Sequence, residues 1–196
     1  MASAMQATAS LALWLHLRRR AALAHEPAEA VQPPPGEAPL LLVHLSDTAE
    51  DPPPLAGLLR TLLARRPGLR LAFSGGPLPA AVGATLRAVH VGLPQDPQSA
   101  EQTIQALEPR ALLLLGDSLP SALIAAAAAR GLPVILAEAR LADQAGRGRW
   151  RRILDRGLMG RVQHVLAPDQ TAATTARQLG ADPARIEVTG PVTETL

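Results

Sequence analysis

The sequence predicts an α/β domain with a Rossmann-like, doubly wound parallel sheet, and three observations support this fold class. Short apolar runs alternate with longer helical segments from Leu40 onward. The apolar runs are continuous, as expected for strands that helices cover on both faces. Gly68, Gly131 and Gly180 follow helical segments, at positions where helices commonly end on glycine. The length of 196 residues suits one such domain with some additional chain.

Strands are expected at 40–45, 69–73, 88–92, 111–116, 133–138, 162–167 and 185–190. Helices are expected at 53–66, 79–87, 97–107, 119–130, 147–159 and 169–179. Several of these helices carry proline in the first turn, where its missing N–H costs no hydrogen bond. In such a sheet, ligands bind beyond the carboxyl ends of the strands, at the point where the strand order reverses. The loop after the first strand should therefore lie at the ligand-binding edge.

The N-terminal segment precedes this pattern and differs from it. We expect residues 1–38 to form a membrane-interface helix with a proline-rich tether, and residues 39–196 to form the Rossmann-like domain. The apolar stretch from Ala7 to Leu17 is too short to span a bilayer, which needs about 20 residues. Trp14 and the three arginines that follow suit a helix lying in a membrane interface. The alternative is a helix that packs on its own domain.

Composition excludes several kinds of chemistry. The chain has no cysteine, which rules out disulfides, thiolate nucleophiles and cysteine-ligated metals. The five histidines never occur at metal-ligand spacing, so no metal site is expected. No G-x-G-x-x-G follows the first strand and no Walker motif occurs, which removes the usual support for nicotinamide, flavin and P-loop chemistry. The near absence of aromatic residues argues against nucleic-acid binding.

Three carboxylates follow the first strand in the stretch "SDTAED". Asp47 and Asp51 lie close enough to the next predicted helix to cap its N-terminus. Glu50 can be explained in the same way, or as a general base that removes a proton from a substrate hydroxyl. Both interpretations remain open from the residues alone.

A second candidate is the arginine-rich segment from Ala139 to Arg161. Five arginines fall on adjoining faces of the predicted helix there: Arg147, Arg151, Arg152, Arg156 and Arg161. They form either a solvated helix face or a basic patch for the phosphates of an anionic lipid or sugar.

The order of motifs is similar to that of a known family. The quoted stretches are "VHLSDTAED", "LGDSLP", "RGLPVILAEARLA", "VLAPDQTAATTARQLGA" and "IEVTG". Over nearly the whole chain, the sequence resembles the N-terminal half of the 3-deoxy-D-manno-octulosonate (Kdo) transferases. The resemblance implies the N-terminal half of a GT-B fold, in which two Rossmann-like domains face a cleft. It further implies that this half receives a lipid A precursor, while a C-terminal domain binds the donor CMP-Kdo.

The resemblance also assigns roles to individual residues. Glu50 takes the position of the catalytic base, and His44 takes that of the histidine that precedes it. Asp117 takes the second acidic position of the segment after the fourth strand, and Arg140 keeps the arginine of the segment after the fifth. With Arg140, the helix from Arg147 onward, including Arg151, would neutralise phosphate.

The chain departs from the family pattern in several places. Asp47, Thr48 and Ala49 replace a Ser-Val-Gly stretch, and Leu115 and Leu119 replace a glutamate and a tryptophan. Because alanine resists backbone conformations that glycine permits, the loop before Glu50 could differ in shape from the family's.

The expected function is therefore inverting transfer of Kdo from CMP-Kdo to a lipid A precursor, a step of lipopolysaccharide biosynthesis. The expected location is the cytoplasmic face of a bacterial inner membrane, with the protein peripheral or interfacially anchored. Expected partners are the lipid A precursor, an anionic membrane surface and a C-terminal donor-binding domain, with no nucleic acid and no cofactor. The sequence stops at Leu196, before a donor half, so the isolated chain is expected to be inactive alone.

Two alternatives belong to other functional classes. The chain could be a degenerate or truncated domain that binds acceptor lipid or a partner protein without catalysis. It could also be half of a different sugar transferase, since a fold does not determine its chemistry.

Overall fold

The computed structural model describes residues 2–23, 31–46, 55–76, 88–139, 141 and 148–191. The strands are β1 Leu40–Leu45, β2 Arg70–Gly75, β3 Val89–Val91, β4 Ala111–Leu115, β5 Val134–Ala137, β6 His164–Ala167 and β7 Ile186–Val188. The helices are α1 Ala2–Leu23, α2 Leu55–Arg65, α3 Pro97–Leu107, α4 Ser121–Ala129, α5 Arg149–Met159 and α6 Gln170–Gln178, with a 3₁₀ turn at Pro183–Arg185. The helix predicted at 79–87 lies outside the described residues.

All seven strands form one parallel sheet in the order β3-β2-β1-β4-β5-β6-β7. Strands β1 to β3 follow one another toward one edge of the sheet, and strands β4 to β7 follow one another toward the opposite edge. The strand order therefore reverses between β1 and β4. The predicted Rossmann-like, doubly wound fold is confirmed. Because the strands are parallel, their carboxyl ends and the loops that follow them meet at one edge of the sheet.

Alternate residues of the central strands enter two apolar layers. Leu42 and Leu114 pack in the larger layer, with residues of α1, α3, α4, α5 and α6. Val43 and Phe73 pack in the smaller layer on the opposite face, beneath α2. All four side chains are fully buried, and burial of a leucine or phenylalanine contributes roughly 1.5–3 kcal/mol. This two-sided burial explains why the strands read as continuous apolar runs.

The start of α3 shows how the sequence sets a helix boundary. The Asp96 carboxylate accepts hydrogen bonds from the backbone N–H groups of Gln98 and Ser99 at 2.9 and 3.1 Å. Pro97 follows at the first helical position, where its missing N–H is not needed. The helix therefore begins at the residue expected from its sequence, and its N-terminus lies at the carboxyl edge of the sheet.

Helix α1 has 22 residues and is longer than the apolar stretch that predicted it. It packs against α5, α3 and α4, and it buries Ala12 and Leu13. Leu11, Trp14 and Leu15 remain exposed on it. The helix therefore packs on its own domain, as the alternative prediction stated. It nevertheless exposes apolar side chains to solvent. None of the described helices is long and apolar enough to cross a membrane.

Candidate functional site

The candidate site lies where β1 and β4 end, at the reversal point of the strand order. Ser46 directly follows β1, and Asp117 and Ser118 follow β4 after a single glycine. Ser74 lies near the end of β2, next to β1. Four polar side chains from three neighbouring strands thus reach one edge of the sheet, and we name Ser46, Ser74, Asp117 and Ser118, together with His44, the crevice cluster.

His44 lies at the centre of the crevice cluster. Its Nδ1 is 3.3 Å from the Ser74 Oγ, and its Nε2 is 2.9 Å from the Ser118 Oγ. The imidazole is almost completely buried, at 2% exposure. A neutral imidazole has one donor and one acceptor nitrogen, and a serine hydroxyl can serve either of them. His44 therefore joins the ends of β2 and β4 and orients Ser118 at the crevice.

A second hydrogen bond joins the two central strands. The Ser46 hydroxyl donates to the Asp117 carboxylate, and both side chains are partly exposed. A carboxylate that accepts a short hydrogen bond from a hydroxyl has a defined orientation. Asp117, which the sequence singled out, is thus brought into the same cluster as His44.

Two glycines allow the strand ends to approach this closely. Gly75 has a φ of 88°, and a Cβ built there would lie 2.2 Å from the Leu45 carbonyl oxygen and 2.6 Å from the His44 ring. Gly116 has a φ of 102°, and its Cβ would lie 2.9 Å from the Ser46 Cβ. No side chain fits at those distances. The crevice cluster therefore depends on the missing side chains at both positions.

Glu138 follows β5 at the same edge and was not singled out by the sequence. Its side chain is buried at 5% exposure, and its φ of 52° is uncommon for a residue other than glycine. Such backbone strain is often found at functional sites. Its position directly after a strand of the parallel sheet was the available sequence signal, as it was for Ser46 and Ser118.

The structure describes only one of the other site residues that the sequence predicted. Glu50, Arg140 and Arg147 lie outside the described residues, so their roles stay predictions. Arg151 lies on the first turn of α5, where its Nε is 3.1 Å from the fully buried carboxylate of Asp155. Within the described ranges, no group of three or more histidine, aspartate or glutamate side chains could hold a metal ion.

Helices α1 and α5 pack against each other, and each carries an exposed tryptophan. Trp14 on α1 and Trp150 on α5 are about half exposed, at 51% and 52%. The Arg18 guanidinium carbon lies 5.0 Å from the centre of the Trp14 ring, within the range of a cation–π contact. We name Leu11, Trp14 and Leu15, three exposed side chains on one side of α1, the apolar face. Exposed tryptophan beside arginine is typical of surfaces that meet a lipid interface.

Several solved structures share this fold at low sequence identity. The UDP-GlcNAc 2-epimerase from Methanocaldococcus jannaschii superposes with a TM-score of 0.55 at 16% identity, over 78% of this chain and 45% of that one. The Neisseria meningitidis UDP-GlcNAc 2-epimerase bound to UDP-GlcNAc gives 0.54 at 14% identity, over 78% and 47%. The S. aureus MnaA–UDP structure gives 0.56 at 17% identity, over 79% and 44%.

These likenesses establish the fold as that of one GT-B-type Rossmann-like half. The chain spans about half the length of the solved structures it resembles. No curated protein matches the sequence significantly.

The family comparison is more specific than the fold comparison. The model of the family described as 3-deoxy-D-manno-octulosonic-acid transferase (kdotransferase), in its N-terminal glycosyltransferase domain, matches residues 16–193. That range contains the whole described sheet, the crevice cluster and the last eight residues of α1. The chain therefore belongs to the 3-deoxy-D-manno-octulosonic-acid transferase (kdotransferase) family and is a glycosyltransferase-like domain of that family.

Proposed function

We propose that the domain takes part in the transfer of Kdo from CMP-Kdo to a lipid A precursor, as the acceptor-binding half of a GT-B enzyme. The single observation that carries this proposal is the crevice cluster. It brings Asp117 and three serines to the reversal point of the sheet, where α/β domains bind ligands. The partly exposed Asp117 carboxylate and the Ser46 and Ser118 hydroxyls suit the hydroxyls of a sugar acceptor. The fully buried Ser74 instead contacts His44.

The proposed chemistry starts from the acceptor hydroxyl. Glu50, four residues after Ser46 in the sequence, would take the hydroxyl proton as the oxygen attacks the anomeric carbon of Kdo. A new carbon–oxygen bond forms while the bond to the CMP phosphate breaks, which inverts the configuration. Asp117, oriented by Ser46, would hold a neighbouring acceptor hydroxyl. The donor CMP-Kdo would be bound by a C-terminal domain.

Turnover by a fusion of this chain to a competent donor-binding half tests the proposal. Glu50→Gln should lower transfer of Kdo to the lipid A precursor about 10²- to 10⁴-fold, the usual contribution of general-base catalysis. Asp51→Asn is the matched control, because it removes a neighbouring charge that is explained by helix capping alone. Transfer at the parental rate by the Glu50→Gln fusion would remove the catalytic assignment.

A second candidate function is acceptor binding without catalysis. It is favoured by the burial of His44, whose ring nitrogens contact Ser74 and Ser118 inside the domain. A buried histidine in such contacts organises the crevice and is poorly placed to touch substrate. A parental fusion that binds lipid A precursor but transfers no Kdo would support this candidate.

We further propose that the domain associates with the cytoplasmic surface of the inner membrane through the apolar face. The lipid A precursor is membrane-bound, so its acceptor hydroxyl would be reached from the bilayer surface. The exposed Trp14 and the arginine beside it support this orientation.

A further inference from the structure

A shallow notch of about 390 Å³ lies between the second half of α1 and the start of α3. We name it the α1–α3 notch. Its floor and walls belong to elements whose ends meet at the carboxyl edge of the sheet, on the same face as α4. It is lined by His16, Arg19, Arg20, Leu23, Gln95 and Asp96.

Arginine side chains dominate the charge of the notch. Arg20 is held in place, because its Nη1 donates to the backbone oxygen of Gln95 at 3.0 Å and to the Gln95 Oε1 at 2.8 Å. These two bonds use Nη1 only, so the Nε and Nη2 hydrogens are not consumed by them. Arg19 is exposed beside it. One anchored and one exposed guanidinium therefore share the same opening.

The pKa of His16, which lines the notch, reflects the positive charge around it. Burial lowers the pKa of His16, and the charges of Arg20, Arg151 and Arg19 lower it further. His16 Nε2 lies 3.1 Å from the Ser121 Oγ at the start of α4. Three guanidinium groups thus act on one imidazole that is anchored at a helix N-terminus.

The acidic groups nearby are already engaged. Asp96 lines the notch, but its Oδ1 accepts from two backbone N–H groups and its Oδ2 accepts from the Ser99 hydroxyl at 2.6 Å. Burial raises the pKa of Asp96, and these hydrogen bonds lower it by more. Asp155 is fully buried against Arg151. Among the ion pairs of the described residues, neither carboxylate contacts Arg19 or Arg20.

The helix start beside His16 adds to the positive potential. The N-cap residue of α4 is Pro120, whose side chain accepts no hydrogen bond from the first backbone N–H groups of the helix. Uncapped N–H groups and the helix dipole attract negative charge at a helix N-terminus. The arginines and this helix end therefore favour the same kind of ligand.

The notch adjoins the apolar face along α1. Leu15 and Arg19 are four residues apart and hence neighbours on the helix surface, as are Trp14 and Arg18. A molecule with an anionic headgroup and acyl chains could contact the guanidinium groups and the exposed apolar side chains together. A soluble anion would use only the first of these features.

We propose that the α1–α3 notch binds the phosphomonoester headgroup of an anionic lipid whose acyl chains contact the apolar face. A phosphomonoester presents up to two charges and three acceptor oxygens to the guanidinium groups, more than a phosphodiester does. The proposal rests on the proposed function only in its choice of a membrane ligand. It locates a lipid-phosphate site on α1, outside the crevice cluster.

Vesicle binding by the full chain tests this site without any sugar donor. The vesicles contain phosphatidylcholine with either phosphatidic acid, a phosphomonoester, or phosphatidylglycerol, a phosphodiester, adjusted to equal surface potential. Arg19→Gln/Arg20→Gln should weaken binding to the phosphatidic acid vesicles about tenfold, as expected for lost hydrogen bonds to a charged group. The control is Arg65→Gln/Arg177→Gln, which removes two exposed arginines of α2 and α6. It should bind like the parental chain.

Three results would overturn the proposal. Equal losses in the two double variants would mean that net charge alone drives binding. Equal parental affinity for the two vesicle types would remove the phosphomonoester specificity. Binding of inorganic phosphate that depends on Arg19 and Arg20, together with equal vesicle binding by the parental chain and the Arg19→Gln/Arg20→Gln variant, would assign the notch to a soluble anion.

The single variant Arg19→Gln guards against a folding artefact. Arg19 is exposed, so its replacement should keep the melting temperature unchanged while it still weakens phosphatidic acid binding. An unchanged affinity of this variant, with loss only in the double variant and a lowered melting temperature, would also overturn the proposal. Because no transfer is measured, failure of the transferase function would leave these results unaffected.

Discussion

The Nε2 of His44 and the Oγ of Ser118 lie 2.9 Å apart, and this contact joins the end of β1 to the loop that follows β4. Three residues later, Ser121 contacts His16 of α1 in the same way, at 3.1 Å. The start of α4 thus has a histidine–serine contact toward the crevice and another toward α1. The proposed acceptor site and the proposed lipid-phosphate site are therefore connected through one helix N-terminus.

Removal of the Ser118 hydroxyl should destabilise the domain. Ser118→Ala removes the hydrogen bond between this hydroxyl and the Nε2 of the buried His44, and the loss of one such bond costs about 0.5–1.5 kcal/mol. Urea denaturation should show that loss as a lower midpoint with an unchanged slope. Thr174→Ala, at an exposed hydroxyl on α6, is the control and should change stability by less than about 0.5 kcal/mol. Equal midpoints for the two variants would contradict the prediction.

Gly75 should tolerate no side chain. Gly75→Ala would place a methyl group against the Leu45 carbonyl and the His44 ring, in addition to an unfavourable φ. The expected cost is at least about 2 kcal/mol. Gly131 also has a positive φ, of 67°, but no atom lies within 4 Å of the position that a Cβ would take there. Gly131→Ala should therefore cost only about 1 kcal/mol, and a larger loss there than at Gly75 would contradict the steric explanation.

Stability should depend on pH through His16. Its pKa is lowered in the folded domain from 6.5, so the unfolded chain takes up a proton more readily as the pH falls. Stability should therefore decrease as the pH drops below about 6.5, until the folded pKa is reached. His16→Gln should reduce the difference in unfolding free energy between about pH 7 and pH 5. An equally large difference in the His16→Gln variant and in the parental chain would contradict the prediction.

Membrane association should depend on the exposed side chains of α1. Removal of the whole helix is a poor test, because Leu13 is part of the main core. Trp14→Gln/Leu15→Gln instead changes two exposed positions and should weaken flotation with anionic liposomes while it preserves the melting temperature. Leu13→Ala should do the opposite, with a stability loss of about 2–5 kcal/mol. Unchanged flotation of the double variant would reject the apolar face as a membrane contact.

The sequence predicted the elements well because burial and capping are local signals. Continuous apolar runs marked the central strands, such as β4 and β5, and Asp96 with Pro97 marked the start of α3. The limits of β1 match the expected ones, and those of the other six strands differ by up to two residues. The positions of His44 and Asp117 at the ligand-binding edge also followed from the expected parallel sheet.

The crevice cluster and the α1–α3 notch were decided by the tertiary structure alone. His44 and Ser118 are 74 residues apart, and His16 and Ser121 are 105 apart, so no periodicity relates them. Strand order sets which loops become neighbours, and it depends on how whole elements pack. A residue's chemistry and its position on an element can be read locally, whereas its partners depend on contacts between segments distant in sequence.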